Sequence, residues 1–232
     1  MGESIKKPLN IGFLVFPTFQ ALDVFGPLDA LNVLAQKTQL NLYLISSSLD
    51  PVSTKPSPSR ADLNQFGSDF GESVLPTHTF ETAPSLDVLF IPGGAGTRDQ
   101  THMAVYSEYI RTVYPSLQYV VTICTGAALA AVSGILDGRR ATTNKRAWAF
   151  VSELGKKTHW IAKARWVEDG NIWTGAGVSA GIDVTYAWIA KVWGDDLAHE
   201  ISTTMEYTRV LEWDSDPFSS VWSIEDVLPQ SS

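Results

Sequence analysis

The sequence has almost no cysteine and no cluster of metal-binding side chains. Cys124 is the single cysteine among 232 residues, which excludes an internal disulfide and a cysteine-rich zinc site. The four histidines are scattered, with no pair at the spacing of metal ligands: His78, His102, His159 and His199. We therefore expect no metal and no other cofactor. The lone cysteine is either a small buried side chain or a reactive thiol.

Positive charge and long hydrophobic runs are also scarce. Lys and Arg number 17 against 25 Asp and Glu, a formal net charge of −8. The basic pairs outside the N-terminus, Arg139-Arg140 and Lys156-Lys157, are too few to follow a phosphate backbone, so we expect no nucleic-acid or anionic-membrane partner. No run reaches the roughly 18 apolar residues of a membrane span. Residues 1–10 lack the apolar core of a signal peptide, and we expect a cytoplasmic protein.

Short apolar runs alternate with segments of helical period. The runs predict buried strands over residues 11–16, 40–45, 86–91 and 119–123. The helical period predicts a helix that begins at Pro27 and further helices over residues 99–114, 126–132, 148–154, 181–193 and 195–211. Residues 165–173, between the helices over 148–154 and 181–193, predict a hairpin. This order predicts an α/β fold with a parallel sheet and helices on both of its faces.

Two polar stretches interrupt or follow this pattern. Residues 46–71 predict a long surface excursion with a short hairpin, or alternatively a disordered insert. Residues 212–232 form a polar tail that contains tryptophan. Because no linker divides the chain, we predict a single domain with its core over about residues 11–211.

Three loops follow predicted strands at the edge where open α/β sheets place their sites: residues 17–27, 92–96 and 123–126. Cys124 lies where a buried strand turns into a helix of small residues, an elbow that exposes a nucleophile. The helix amides predict a lowered pKa for this thiol.

The other two loops supply a carboxyl group and a pair of glycines. Asp23 lies among apolar residues, where burial would raise its pKa and suit it to donate a proton; alternatively it caps a helix or lies on the surface. Gly93 and Gly94 can turn their N–H groups towards an anion, or simply form a turn. Thr125 can hydrogen-bond Asp23 or the substrate, or cap the helix that follows it.

Five motifs occur in order along about residues 11–207. They are Leu22-Asp23-Val24-Phe25-Gly26-Pro27, Ile91-Pro92-Gly93-Gly94, Cys124-Thr125-Gly126, Arg140-Ala141-Thr142-Thr143 and the glycine-rich stretch 177–183. Together they resemble the ThiJ/PfpI superfamily, and within it the isonitrile (isocyanide) hydratase branch. The resemblance implies a flavodoxin-like three-layer sandwich with a mostly parallel central sheet, similar to the class I glutamine amidotransferase domain. It also implies a homodimer and a small-molecule substrate.

The resemblance further implies a role for each site residue. Cys124 would attack the isonitrile carbon to form a thioimidate, and Asp23 would transfer the proton before water releases an N-substituted formamide. Thr125 would orient the reactants, with Gly93 and Gly94 as backbone donors. Asn144 occupies a position near which relatives often carry histidine, so we expect it to bind substrate in a site built on Cys and Asp.

Two alternatives to a hydratase remain open at this point. The first keeps the thiol in an enzyme with another substrate, either a glyoxalase-like enzyme acting on methylglyoxal-type carbonyls or a specialised enzyme of secondary metabolism. The second is a non-catalytic redox sensor or ligand-binding protein, in which an oxidisable thiol of low pKa would form sulfinate.

Overall fold

A seven-stranded sheet forms the centre of the computed structural model, which describes residues 7–56 and 62–230. The strands are β1 (Asn10–Leu14), β2 (Asn41–Ser46), β3 (Val52–Ser53), β4 (Ser73–Val74), β5 (His78–Thr79), β6 (Val88–Ile91), β7 (Tyr119–Ile123), β8 (Arg140–Ala141), β9 (His159–Trp160), β10 (Trp166–Asp169) and β11 (Ile172–Gly175). Across the central sheet their order is β10-β11-β7-β6-β1-β2-β5. All neighbours are parallel except the antiparallel hairpin of β10 and β11.

Helices cover both faces of the sheet. They are α1 (Ala21–Leu34), α2 (Gln100–Val113), α3 (Gly126–Val132), α4 (Trp148–Leu154), α5 (Ala180–Trp193), α6 (Asp195–Thr204) and α7 (Phe218–Val221). Helix α1 packs with α5 and α6 in one layer, whereas α3 packs with α2 and α4 in the other. The predicted three-layer α/β fold with a mostly parallel central sheet is confirmed.

Burial on both faces explains why the central strands are continuous apolar runs. Leu14, Val88 and Val121 are fully buried, and Phe13 stacks on Phe90 with ring centroids 4.4 Å apart. The strands therefore form a rigid platform that fixes the loops at their carboxyl ends.

Helix α1 begins earlier than predicted. It starts at Ala21, and Pro27 lies inside it. Proline removes one backbone hydrogen bond in a helix interior, but Val24, Leu28 and other apolar side chains of this helix are buried, and their packing stabilises the extra turn. As a consequence, Asp23 lies in the first helical turn and caps no helix at Pro27.

Helix α6 ends earlier than predicted, at Thr204 instead of residue 211. Glu206 has a φ of 51°, which breaks the helical path. Beyond it, the Tyr207 hydroxyl donates to Asp183 Oδ1 at 2.9 Å and the Val210 N–H donates to the same oxygen at 3.0 Å. The buried carboxylate of Asp183 therefore draws the chain out of the helix.

Both polar stretches contain regular secondary structure. Strands β3 and β4 pair antiparallel within the predicted excursion. Residues 57–61 of that excursion lie outside the described part of the chain, as do residues 1–6, most of the segment predicted to lack a signal-peptide core, and residues 231–232 of the tail. The tail contains α7, and its Val227 pairs with Trp160 at the end of β9.

Candidate active site

The three loops at the carboxyl ends of the strands converge as predicted from the topology. The Gln20 N–H donates to the Gly93 carbonyl at 2.8 Å, and the Gly93 N–H donates to Asp23 Oδ2 at 2.9 Å. A Cβ atom added to Gly93 would lie 2.9 Å from Cys124 Cβ. Gly93 is thus the link that brings Asp23 and Cys124 together, and no larger residue fits there.

Cys124 occupies a strained elbow between β7 and α3. Its φ is 56°, a left-handed conformation that costs a non-glycine residue about 1–2 kcal/mol. Backbone and side-chain bonds hold it: its N–H donates to the Ala176 carbonyl at 2.8 Å, and its carbonyl accepts the Thr143 hydroxyl at 2.8 Å. A Cβ on Gly126 would collide with the Ile91 carbonyl, so glycine is required where the chain enters α3. Such strain at a candidate nucleophile is a mark of function.

Asp23 is a fully buried carboxyl group. Burial raises its pKa from 3.8 to about 7, although the Gly93 N–H and the interaction with the Cys124 thiol each lower it. Within the described part of the chain, its second oxygen, Oδ1, is buried and has no hydrogen-bond partner. The group is therefore poised to gain or lose a proton near neutral pH, with one oxygen uncommitted.

The pKa of the Cys124 thiol is shifted in the direction opposite to the prediction from the helix amides. Burial raises it to about 12, and the negative charge of Asp23 adds to the increase. Backbone hydrogen bonds from Val178 and Thr125 and a side-chain hydrogen bond from Asn144 lower it, but burial outweighs them. The raised pKa makes Cys124 a neutral thiol beside a carboxyl group, and no histidine is among the groups that shift its pKa.

Gly93 and Gly94 do not have free N–H groups for an anion. The Gly93 N–H binds Asp23, as above, and the Gly94 N–H donates to Thr125 Oγ1 at 3.0 Å. In this structure the two glycines orient a carboxyl and a hydroxyl group, and their role as donors to an anion stays a prediction. Thr125 Oγ1 also lies 3.0 Å from the hydroxyl of the buried Thr97. Thr125 stands at the N-cap position of α3, but its side chain makes no capping hydrogen bond.

Three other groups lower the pKa of the Cys124 thiol through hydrogen bonding. They are the N–H groups of Val178 and Thr125 and the side chain of Asn144. The sequence did not predict Val178 and Thr143 as residues of the site. Val178 lies in the glycine-rich turn after β11 with a φ of 33°, and the sequence signal for it was this turn. Thr143 had a weaker signal, its place in the Arg140–Thr143 motif.

A cavity of about 240 Å³ opens beside these donors. Asn144 and Val178 line it, together with Phe218 and Trp222 from the tail. A larger cavity of about 500 Å³ lies between β10, α5 and residues 209–213 and shares no lining residue with the first. The smaller cavity is lined by Asn144 and Val178, two of the groups that lower the pKa of Cys124, whereas Cys124 and Asp23 are not among its lining residues. We assign it to the candidate active site because it adjoins these two neighbours of the thiol.

The chain is similar to known proteins in sequence and in fold. The sequence model of the DJ-1/PfpI family matches residues 10–191. The chain belongs to the DJ-1/PfpI family. An isonitrile hydratase of Pseudomonas putida is 35% identical over 207 residues, which make up 89% of this chain and 82% of that protein. The fold of this family is consistent with the predicted flavodoxin-like, glutamine amidotransferase-like sandwich.

Other proteins similar to this chain differ in kind. A ThiJ/PfpI family protein from Pseudomonas syringae has a similar structure, with a TM-score of 0.70 and 27% identity, covering 96% of this chain and 88% of that chain. The HTH-type transcriptional regulator GbdR of Pseudomonas aeruginosa is 22% identical over 88% of this chain, which spans 52% of the regulator's length. Proteins similar to this chain therefore include both a hydratase and a transcriptional regulator.

Residues 7–56 and 62–230 hold neither a candidate membrane span nor a candidate metal site. None of the helices there is long and apolar enough to cross a membrane. The same residues hold no group of three or more His, Cys, Asp or Glu side chains that could bind a metal ion.

Proposed function

We propose that this DJ-1/PfpI family member is a cofactor-free hydratase that adds water to isonitriles or to similar small electrophiles. The observation that carries the proposal is the pair formed by a buried thiol and a buried carboxyl group with a pKa of about 7. The similarity to an isonitrile hydratase supports the choice of substrate. We also propose that the protein is a cytoplasmic homodimer.

The first half of the reaction adds the S–H bond across the terminal carbon of the isonitrile. Asp23, as carboxylate, accepts the thiol proton while Cys124 Sγ forms a bond to that carbon. Asp23 then donates the proton to the same carbon, which has gained electron density, and a thioimidate R–N=CH–S results. The uncommitted Oδ1 of Asp23 is suited to this transfer because no other group in the described structure occupies it.

The second half consumes one water molecule. Water adds to the thioimidate carbon, the C–S bond breaks, and the sulfur regains a proton. The product is the formamide R–NH–CHO, so the balance is one isonitrile plus one water. Donors fixed around the sulfur stabilise the negative charge that it carries during attack and departure: the N–H groups of Val178 and Thr125 and the side chain of Asn144.

The test is hydration of a panel of alkyl and aryl isonitriles, followed as formamide release. We expect C124A to be inactive and D23N to lose about 10²–10⁴-fold in kcat, the usual contribution of a general acid–base. D29N, an exposed residue on the same helix, is the matched control and should keep wild-type rates. Full hydration by C124A would refute the proposal.

The alternatives give different outcomes in the same samples. Lactate from methylglyoxal without formamide from isonitriles would indicate a glyoxalase-like enzyme. Sulfinate formation under mild peroxide, without turnover of any electrophile, would indicate a sensor. The raised pKa of Cys124 disfavours the sensor, because thiol oxidation proceeds through the thiolate.

A further inference from the structure

We infer that the C-terminal segment, residues 212–230, forms a specificity wall of the active-site cavity, with Phe218 and Trp222 selecting the substituent of the substrate. The inference rests on the proposed function for the identity of that substrate. The segment lies beyond residues 10–191, the part of the chain that matches the family.

The cavity joins the nucleophile's neighbours to this segment. Asn144 and Val178, which hydrogen-bond the sulfur, lie in its lining together with Phe218 and Trp222. Both aromatic side chains are about half exposed, at 49% and 47%, so their rings have apolar surface available to a ligand. A volume of about 240 Å³ is below the range of roughly 300–1,000 Å³ for drug-sized ligands. It suits a compact substituent.

A buried ion pair fixes the wall to the active site. Lys145 Nζ lies 3.2 Å from Asp216 Oδ2, and the two side chains are only 3% and 1% exposed. The other oxygen of Asp216 accepts the Phe218 N–H at 2.8 Å. Because Lys145 directly follows Asn144, this pair connects the residue beside the sulfur to the backbone of Phe218.

Contacts on both sides of Phe218 and Trp222 hold the segment against the core. Before them, the Arg165 N–H donates to the Trp213 carbonyl at 2.6 Å. After them, Trp160 and Val227 exchange two backbone hydrogen bonds, at 2.9 and 3.0 Å. The wall is thus clamped at each end, as a surface that discriminates by shape must be.

The charges in the lining are largely paired, which defines the class of substituent. Lys145 is paired with Asp216, and Arg165 Nε lies 2.7 Å from Asp183 Oδ2. Arg146 is exposed to solvent. With the deeper charges neutralised and two aromatic rings on one side, the cavity favours an uncharged apolar or aromatic substituent of about one ring.

The first experiment compares kcat/KM across methyl, cyclohexyl, phenyl and naphthyl isonitriles for the wild type and the variants F218A, W222A and F218A/W222A. We expect the double variant to lose about 10-fold or more on the single-ring substrates relative to methyl isonitrile, and to gain on the naphthyl compound relative to the phenyl one. F66A, whose ring is 96% exposed in the excursion, is the control. An equal change for all four substrates would overturn the inference.

The second experiment needs no turnover, because Cys124 is the single cysteine and any alkylation reports on it alone. The rate with an iodoacetamide bearing a naphthyl group is divided by the rate with iodoacetamide itself. We expect this ratio to rise about 5-fold or more in F218A/W222A and to stay constant in F66A. If the ratio of alkylation rates rises in the double variant but the protein does not hydrate isonitriles, the inference about the wall is supported and the proposed function is refuted. Hydration with an unchanged ratio and unchanged selectivity refutes the wall.

Discussion

Replacing Asp23 with asparagine tests the electrostatic feature on which the site depends. The native carboxyl group is fully buried and keeps its proton up to a pKa of about 7, whereas the ordinary value is 3.8. In the unfolded chain the proton therefore leaves at a lower pH than in the folded protein. It follows that the contribution of Asp23 to the unfolding free energy falls as the pH rises from about 4 and is lowest above pH 7.

The size of the effect follows from the same values. A pKa raised from 3.8 to about 7 is a shift of about 3 units, and each unit corresponds to about 1.4 kcal/mol. Below pH 4 Asp23 is protonated in both states and has no such effect. Between pH 4 and 8 the wild type should lose up to ~4 kcal/mol of unfolding free energy because of this one group. D23N cannot ionise and should lack that loss.

The assay is urea denaturation of the wild type and D23N at intervals from pH 4 to 8. The difference in unfolding free energy between them should grow in favour of D23N as the pH rises, whatever constant cost the new amide brings. D29N, an exposed change on the same helix, should run parallel to the wild type. Parallel curves for the wild type and D23N would refute the raised pKa and, with it, the proton-transfer role.

Four further predictions follow from the same geometry. G93A should lower kcat by about 100-fold and reduce Tm, because its Cβ would lie 2.9 Å from Cys124 Cβ; an unaltered rate would contradict the close packing. T143V, which removes the 2.8 Å bond to the Cys124 carbonyl, should cost about 1–3 kcal/mol in urea denaturation. Alkylation of Cys124 by iodoacetamide should keep accelerating above pH 9, and its inflection should move to lower pH in D23N, because the carboxylate raises the thiol pKa. Since isonitriles do not titrate, kcat/KM should rise with pH through about 7 as Asp23 ionises; a fall over that range would make the protonated form the active one.

The sequence predicted those features that depend on local pattern and chain order. The buried strands are continuous apolar runs, so their alternation with helices indicated the parallel sheet. Once the sheet was inferred, the loops after β1, β6 and β7 had to meet at one edge, and this placed Asp23 and Cys124 together. Both inferences use only rules of periodicity and topology.

The partners of individual groups could not be predicted in this way. The Gly93 and Gly94 N–H groups are free in an isolated loop and satisfied only after Asp23 and Thr125 reach them through space. The pKa of Cys124 was predicted from the nearby helix alone, whereas its value depends on burial by the whole fold. The sequence predicts a helix start at Pro27 because proline favours the first helical turn. The structure keeps Pro27 inside α1 through tertiary packing, and such packing leaves no local signal in the sequence.

The corrected pKa of the thiol strengthens the case for addition to an electrophilic carbon. A permanent thiolate beside a carboxylate would place two negative charges in a buried site, which is costly. A neutral thiol beside a carboxyl group with a pKa near 7 carries at most one charge, and it holds a proton within the pair. Addition of S–H across an isonitrile carbon requires both the sulfur and that proton, whereas oxidation of a sensor thiol requires the thiolate alone. In the proposed mechanism, the burial that keeps the thiol protonated also keeps its proton available, and Asp23 would transfer that proton to the carbon.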